Sequence, residues 1–530
     1  MPQAEALNTQ GQAKAKDEVI SYNPATMEEI GRVKNMSREE VLKEMENAKK
    51  AYDEWAALSY RERGSFILRA RAYLLEHLDE LAEAISKDNG KPKVEALASD
   101  VLPICDLMQY FAHNTGRVLA PHKLNIGVWE YLLRSSYMEY HPLGVVGIIA
   151  PWNFPFSIPM GQIVMALMAG NCVLFKPSSS TPIVGAKIEE VFKAANLPDG
   201  VFTHLSGKSH VGSVLVESGV DKIFFTGSVG IGKKVMEMAS KNLTPLNLEL
   251  GGKCPMIVCE DADLEIASSG AVWGAFFNCG QVCASVERVY VHHAIAEKFI
   301  SLVVKKTKKL RLGEGTNPDI DVGPLTTEGQ LECVVAHVED AKKRGAKILT
   351  GGEKEPSLKG YFYKPTVITG IDHSFACVKE ETFGPTMPIM TFRTEEEAIR
   401  LANDTTFGLT ASVWTKSSAR GKSIARRVRA GTVMVNNCSY THAICQTPWG
   451  GSKESGFGRS HSNMGLFELV EPHHVHVNGT YFMKEFWWFG YGKGLYAVLK
   501  KLSCTLTEGS LWGLVKALPS LIRGLLLPKY

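Results

Sequence analysis

The sequence predicts an α/β protein with two parallel-sheet lobes, a β-arm and a helical C-terminal extension. Three observations lead to that class. Short apolar runs alternate with helical stretches from "GVVGIIA" through "CVLFKP" and "KIFFTGS" to "NLELGGKCPMIVC", and such alternation implies parallel strands joined by crossovers. The 530 residues are enough for two or three separate cores. No internal repeat and no span able to cross a bilayer interrupts the pattern.

Taken in order, residues 1–17 form a loose polar tail without an apolar core segment, which leaves no sign of a secretory leader and points to cytoplasmic synthesis. From about Arg38 to Arg117 apolar residues recur at three- and four-residue steps, predicting helices. Around Val128–Tyr140, "VWEYLLRSSYMEY" predicts extended arms. Val145–Phe175 carries no charge, yet Pro151, Pro155 and Pro159 would break a spanning helix, so a buried strand, a turn and a helix are expected. A second α/β region follows from about Ala262 to Asn436.

Composition excludes some functions. Apolar residues make up 45% and charged residues 22%, and a formal net charge of +3 predicts no nucleic-acid surface. The eleven cysteines are scattered, and no closely spaced pair recurs, which argues against a metal site. Their odd number suits free thiols in a reducing compartment. Within "FFNCGQVCAS", Cys279 and Cys283 stand four positions apart. That spacing leaves a disulfide, a metal clip or one reactive thiol open.

Four further stretches could carry chemistry. "FFTGSVGIG" reads strand, turn, helix, and glycines there let backbone N–H groups approach a phosphate, although the spacing departs from G-x-G-x-x-G. "LFKPSSSTP" ends a strand on Lys176, a cation placed for a nucleotide or simply a solvated lysine. "NLELGGK" holds Glu249 in an apolar strand, where desolvation raises proton affinity and suits a general base. "APWNFP" fixes Asn153 in a proline-bounded turn, where a side-chain amide can donate to an oxyanion or only shape the turn.

Together with "GQVC", "ETFGP" (Glu381–Pro385), "FGLTASVWT" (Phe407–Thr415) and "PWGGSKESGFGR" (Pro448–Arg459), these stretches resemble the aldehyde dehydrogenase superfamily in order and separation, from about Ser21 to Val477. The resemblance implies the family's fold: a NAD(P)-binding domain (18–127 and 148–257), a catalytic domain (258–463), an oligomerisation arm (128–147 and 464–481) and an extension (482–530). It implies Cys283 as nucleophile, with Cys279 a structural bystander. Asn153 and the Cys283 backbone N–H would hold the oxyanion, and Glu249 would activate water on a thioester. Trp152, Lys176, Ser179, Gly207, Gly212, Ser228, Glu381 and Phe383 would bind the cofactor. NAD is expected, with NADP tolerated, because Ser179 stands where NAD-preferring relatives carry a repelling Glu. No metal is implied. The implied assembly is a homodimer or homotetramer. Alternatives are a CoA-acylating semialdehyde dehydrogenase, which typically lacks the Glu249 base, and a non-catalytic scaffold.

Two departures shape the substrate expectation. Gln162 replaces a family lysine of the proton path, while Glu471 is matched to that path's glutamate. Gly161 stands where several relatives place a bulky aromatic, so a tunnel lined by Phe154, Ile158, Gly161 and Trp449 would be widened for medium-chain, long-chain or bulky apolar aldehydes. The tail of about fifty residues adds Phe486, Trp487, Trp488 and Phe489, then Leu511, Leu514, Val515, Leu518, Leu521, Ile522 and Leu525 at helical steps. Lysines flank these residues, a pattern that suits peripheral membrane contact or packing on another subunit.

Overall fold

The computed structural model describes residues 18–506, except 128, 129, 131, 132, 483, 486, 487 and 490, together with positions 512, 515 and 519. The polar tail 1–17, Phe486, Trp487 and the C-terminal apolar stripe other than Val515 lie outside the described residues. The described residues divide between two units, Met1–Leu119 with Pro142–Val470 and Ala120–His141 with Glu471–Tyr530.

The first unit opens with β1 (Glu18–Tyr22) and β2 (Glu29–Lys34), an antiparallel pair. Two amphipathic helices follow, Arg38–Ala57 and Tyr60–Glu76. Each begins on a reciprocal capping box, Ser37 with Glu40 and Ser59 with Glu62, which satisfies the first free N–H groups and sets where each helix starts.

In the second unit lie β3 (His122–Leu124) and β4 (Arg134–Pro142), the latter crossing the boundary at its last residue. Five strands of the first unit then run parallel: β5 (Val145–Ile149), β6 (Cys172–Lys176), β7 (Phe202–His204), β8 (Lys222–Thr226) and β9 (Leu246–Glu249). The charge-free stretch folds as expected into β5, a turn and the helix Ser157–Ala169. That helix is buried all round and stops at Gly170, whose φ of +101° a side chain would strain. Among the described residues no helix is long and apolar enough to cross a membrane.

A second sheet takes β10 (Cys254–Val258), β11 (Val286–His292), β12 (Lys347–Thr350), β13 (Thr366–Thr369), β14 (Thr386–Phe392), β15 (Thr410–Trp414) and β16 (Thr432–Val435) in the order β12-β13-β14-β11-β10-β15-β16. Only β12 is antiparallel. The short β17 (Gly456–Phe457) returns to the first sheet and pairs antiparallel with β9, giving β17-β9-β8-β5-β6-β7. Four residues, Leu250–Lys253, join the two sheets.

The second unit adds β18 (Val470–Asn478) to form β18-β4-β3. Beyond it Glu485 accepts from Arg134 on β4 at 2.6 Å, a largely buried pair, and the helix Lys493–Leu506 buries Leu495 and Val498. Tyr481, Phe482, Trp488, Phe489, Tyr491 and Tyr496 remain exposed.

Candidate active site

Strand β5 lies between β6 and β8, so the winding direction reverses there, and an open α/β sheet binds ligands outside the C-terminal ends of its strands at such a reversal. The sequence motifs gather at those ends. Trp152 and Asn153 follow β5, buried Lys176 ends β6 with Ser179 just beyond, Ser228 follows β8, and Glu249 ends β9.

Ser228 caps the helix Val229–Ala239 by accepting from the Ile231 N–H at 3.5 Å. A side chain built at Gly230 would meet nothing within 4 Å, and at Gly212 only Ile149, at 4.0 Å. Gly207 adopts φ +144°, and a Cβ there would press on Val211 and Asn35. The helix N-terminus therefore opens on a cradle lined by backbone, a surface that fits a phosphate.

The linker Leu250–Lys253 explains its two glycines by close approach. A Cβ at Gly251 would stand 2.3 Å from the Glu381 carboxylate, and one at Gly252 would stand 2.3 Å from the Cys283 carbonyl. The Gly252 N–H donates to Glu381 at 2.8 Å. Two site residues from the second sheet are thus drawn onto the end of the first.

Before Cys283, Asn278 and Cys279 both hold left-handed backbone, at φ +49° and +55°. The Asn278 N–H donates to Glu95, and its side chain donates to the Asn153 carbonyl at 2.9 Å. Asn153 answers with its own amide, donating to the Gln281 carbonyl at 3.0 Å. Lys91 also donates to the Asn153 carbonyl, and the buried Asp100 that pairs with Lys91 accepts from the N–H groups of Phe156 and Ser157. The result distinguishes the two thiols: Cys279 is buried, whereas Cys283 is partly exposed. Burial raises the Cys283 thiol pKa, and the nearby Cys254, Glu381 and Glu249 push the same way. All the cysteines other than Cys504 are free, and among the described residues no cluster of ligating side chains suits a metal.

Glu249 is buried, and desolvation lifts its carboxyl to about 8, against the lowering effect of a hydrogen bond from Ser460. Ser460 donates to Glu249 at 3.3 Å. Gln162 does lie nearby, donating to Thr226, the residue paired with Glu249 across β8 and β9.

Phe154, Ile158 and Trp449 pack with Phe277, Val282, Ala284, Leu409 and Cys283 in one apolar cluster. Gly161 does not widen it. A Cβ there would meet the His461 ring at 3.1 Å and Leu107 at 3.4 Å, so neighbouring side chains already occupy the space that a missing ring was expected to leave. His461 stands edge-on to His442, and His442 edge-on to Trp449, with ring centroids 4.6 and 5.0 Å apart. Burial lowers both histidines, His442 to about 4, and leaves them neutral at pH 7.

Phe383 stands edge-on to Trp152, centroids 5.5 Å apart. Sequence reasoning missed the supports Lys91, Asp100, Glu95, Glu287, His442, Ser460 and His461. Phe277, Asn278, Gln281 and Lys253 lay inside the motifs without a role assigned to them, and no spacing rule connects residues nearly two hundred positions apart, as Glu95 and Asn278 are.

Residues 11–475 match the model of the aldehyde dehydrogenase family. The betaine aldehyde dehydrogenase of Bacillus subtilis (strain 168) is 38% identical, covering 87% of this chain and 95% of that protein. The 4-trimethylaminobutyraldehyde dehydrogenase of Mus musculus is 39% identical over 87% and 94%. The 4,4'-diapolycopene aldehyde oxidase of Methylomonas sp. is 37% identical over 84% and 83%. An aldehyde dehydrogenase from Bacillus cereus, solved as its NAD+ complex, superposes with a TM-score of 0.84 at 35% identity, covering 87% of this chain and 93% of that one. An NADP-dependent E. coli enzyme superposes with a TM-score of 0.84 at 31% identity, covering 87% and 95%.

Proposed function

The chain belongs to the aldehyde dehydrogenase family, an oxidoreductase family, and on that premise we propose that it oxidises an aldehyde to its carboxylic acid with NAD+, tolerating NADP+. One observation carries the reading. A partly exposed thiol, Cys283, shares its surroundings with the Asn153 amide, which bonds its loop, and with a buried carboxyl, Glu249, that holds its proton to about 8.

The chemistry follows from those groups. Transfer of the Cys283 proton to solvent leaves a thiolate that adds to the aldehyde carbon, and the carbonyl electrons move onto oxygen. An amide nitrogen carries two hydrogens; Asn153 gives one to Gln281 and has one for that oxyanion, alongside the Cys283 backbone N–H. A bound dinucleotide supplies the acceptor for the hydride that leaves the same carbon. What remains is a thioester on Cys283. Glu249 then takes a proton from water as its oxygen attacks, the C–S bond breaks, and the acid departs as Glu249 passes that proton to the sulfur and restores the thiol. Lys176, Ser179, Gly207, Gly212 and Ser228 would hold the adenosine and phosphate half, and Trp152, Glu381 and Phe383 the nicotinamide half. Ser179 puts no negative charge against a 2′-phosphate, which supports use of either dinucleotide.

For the substrate we infer an apolar aldehyde, medium to long or bulky. The walls around Cys283 are Phe154, Ile158, Phe277, Leu409 and Trp449, and the two histidines beside them are uncharged. A second reading, a trimethylammonium aldehyde, is favoured by the same aromatic rings, since quaternary ammonium groups bind ring faces, and by the names of two relatives. The exposed aromatics after β18 support a peripheral membrane contact that would bring apolar aldehydes to the enzyme.

An NAD(P)H-coupled screen tests these readings, using aldehydes graded by chain length beside a trimethylammonium aldehyde, with both cofactors and no CoA. Highest kcat/KM on long or bulky uncharged aldehydes, with free acid as product, is expected. Preference for short anionic semialdehydes would overturn the substrate assignment. No NAD(P)H from any aldehyde would overturn the oxidation itself.

A further inference from the structure

Phe383 holds φ +52°, left-handed backbone that a residue with a bulky side chain adopts only under constraint. The constraint is visible on both sides of the turn. Glu287 accepts the N–H of Thr382 on one carboxylate oxygen and the N–H of Phe383 on the other, each at 2.9 Å. Gln330 donates to the carbonyls of the same two residues, at 2.8 and 3.0 Å.

Glu287 is almost wholly buried at the start of β11, and an ion in that position needs a partner. Lys253, equally buried, supplies it, and also donates to the Thr382 hydroxyl at 3.3 Å. Lys253 closes the linker in which Gly251 makes room for Glu381 and Gly252 donates to it. One ion pair therefore ties the linker between the two sheets to the turn carrying Glu381 and Phe383. His337 packs beside the pair, its imidazole also meeting the Thr382 hydroxyl at 3.1 Å.

We propose that the Lys253–Glu287 pair positions Glu381 and Phe383 for the nicotinamide half of the dinucleotide. Neither member is exposed enough to touch a ligand, so both are positioning residues. Removing them loosens cofactor binding while leaving the Cys283 thiol chemistry in place. The inference rests on the NAD(P) reading above and assigns that site a specificity device of this chain's own residues.

Glu287→Gln alone strands a buried lysine and risks misfolding. Lys253→Met/Glu287→Gln removes both charges together, and Gln330→Met unclips the carbonyl side without stranding any charge. Three readouts serve each variant: NAD+ titration by tryptophan fluorescence, KM for NAD+ against KM for aldehyde, and NAD-independent hydrolysis of p-nitrophenyl acetate. The double variant should weaken NAD+ binding about tenfold or more, with the aldehyde KM and ester hydrolysis within about twofold of the parent. Gln330→Met should shift NAD+ binding in the same direction by less. Unchanged NAD+ binding in a folded double variant, or in Gln330→Met should the double variant not fold, overturns the proposal. Equal loss of NAD+ binding and ester hydrolysis also overturns it, because that marks general collapse. If the parent itself neither binds NAD(P)+ nor oxidises any aldehyde, the dehydrogenase reading fails instead, and the two failures stay distinct.

Discussion

The Ser460 hydroxyl reaches one oxygen of Glu249 at 3.3 Å, while the other oxygen of that buried carboxyl has no hydrogen-bond partner among the described residues. A carboxyl so placed keeps its proton far above the usual range, because burial penalises the anion and one hydrogen bond offsets only part of that penalty.

Thioester hydrolysis should therefore depend on pH through Glu249. The base acts when deprotonated, so the rate should climb as pH rises through about 8 and level off above it. Ser460→Ala removes the bond that lowers the carboxyl, so the midpoint should move upward. Hydrolysis of a preformed Cys283 acyl-enzyme, followed across pH, separates this group from the thiol. A midpoint unmoved by Ser460→Ala would place the proton elsewhere.

Blocking each half-reaction should leave a different trace. Cys283→Ala should abolish NAD(P)H formation and ester hydrolysis together. Glu249→Gln should still release about one NAD(P)H per site in a rapid burst and then slow by ~10²-fold or more, because only the hydrolytic half is lost. Rapid-mixing absorbance at the NAD(P)H band reads both. A Glu249→Gln enzyme that turns over steadily would exclude that residue as the base.

Packing around Gly161 makes a prediction opposite in sign in two backgrounds. In the parent, Gly161→Ala gains ~1 kcal/mol of helix propensity but drives a methyl group into His461, whose ring is fixed against His442, at a cost of ~1–3 kcal/mol. The melting temperature should fall. In a His461→Ala background the obstruction is gone, and the same change should raise it. His461→Ala alone, not Gly161, should enlarge the accepted aldehyde. Calorimetry and the chain-length screen check both points.

Vesicle binding is best tested by point substitutions. Deleting 482–530 also removes Glu485, the buried partner of Arg134, and so disturbs β4 as well as the extension. Trp488 and Phe489 are 54% and 84% exposed, so Trp488→Ser/Phe489→Ser changes the surface alone. Co-sedimentation with anionic vesicles should drop several-fold in this variant with turnover on a soluble aldehyde unchanged. Equal sedimentation of parent and variant would count against membrane contact through these rings.

Local pattern made much of the fold legible. Alternating apolar runs and helical stretches place β5 to β9, because strand and helix periodicities differ and each run's flanking residues mark its ends. Prolines turned a charge-free stretch from a membrane candidate into strand, turn and helix. Asn153, Lys176 and Glu249 were also legible as candidate chemistry, each within two positions of a glycine or proline, whereas Cys283 as the nucleophile and Glu381 as a cofactor residue came from the family resemblance.

By itself, then, the sequence determined the α/β class, the order of the motifs and the family resemblance, all of which are carried by residues near one another in the chain. Tertiary structure alone decided which side chains stand around those motifs. It put Ser460 against Glu249, filled the space at Gly161 with His461 and Leu107, and set Glu287 and Lys253 behind a strained Phe383. The reason is physical. A motif fixes its own backbone through short-range sterics, but a buried polar group is satisfied by whatever the packing of distant strands brings within reach, and no local rule encodes that distance.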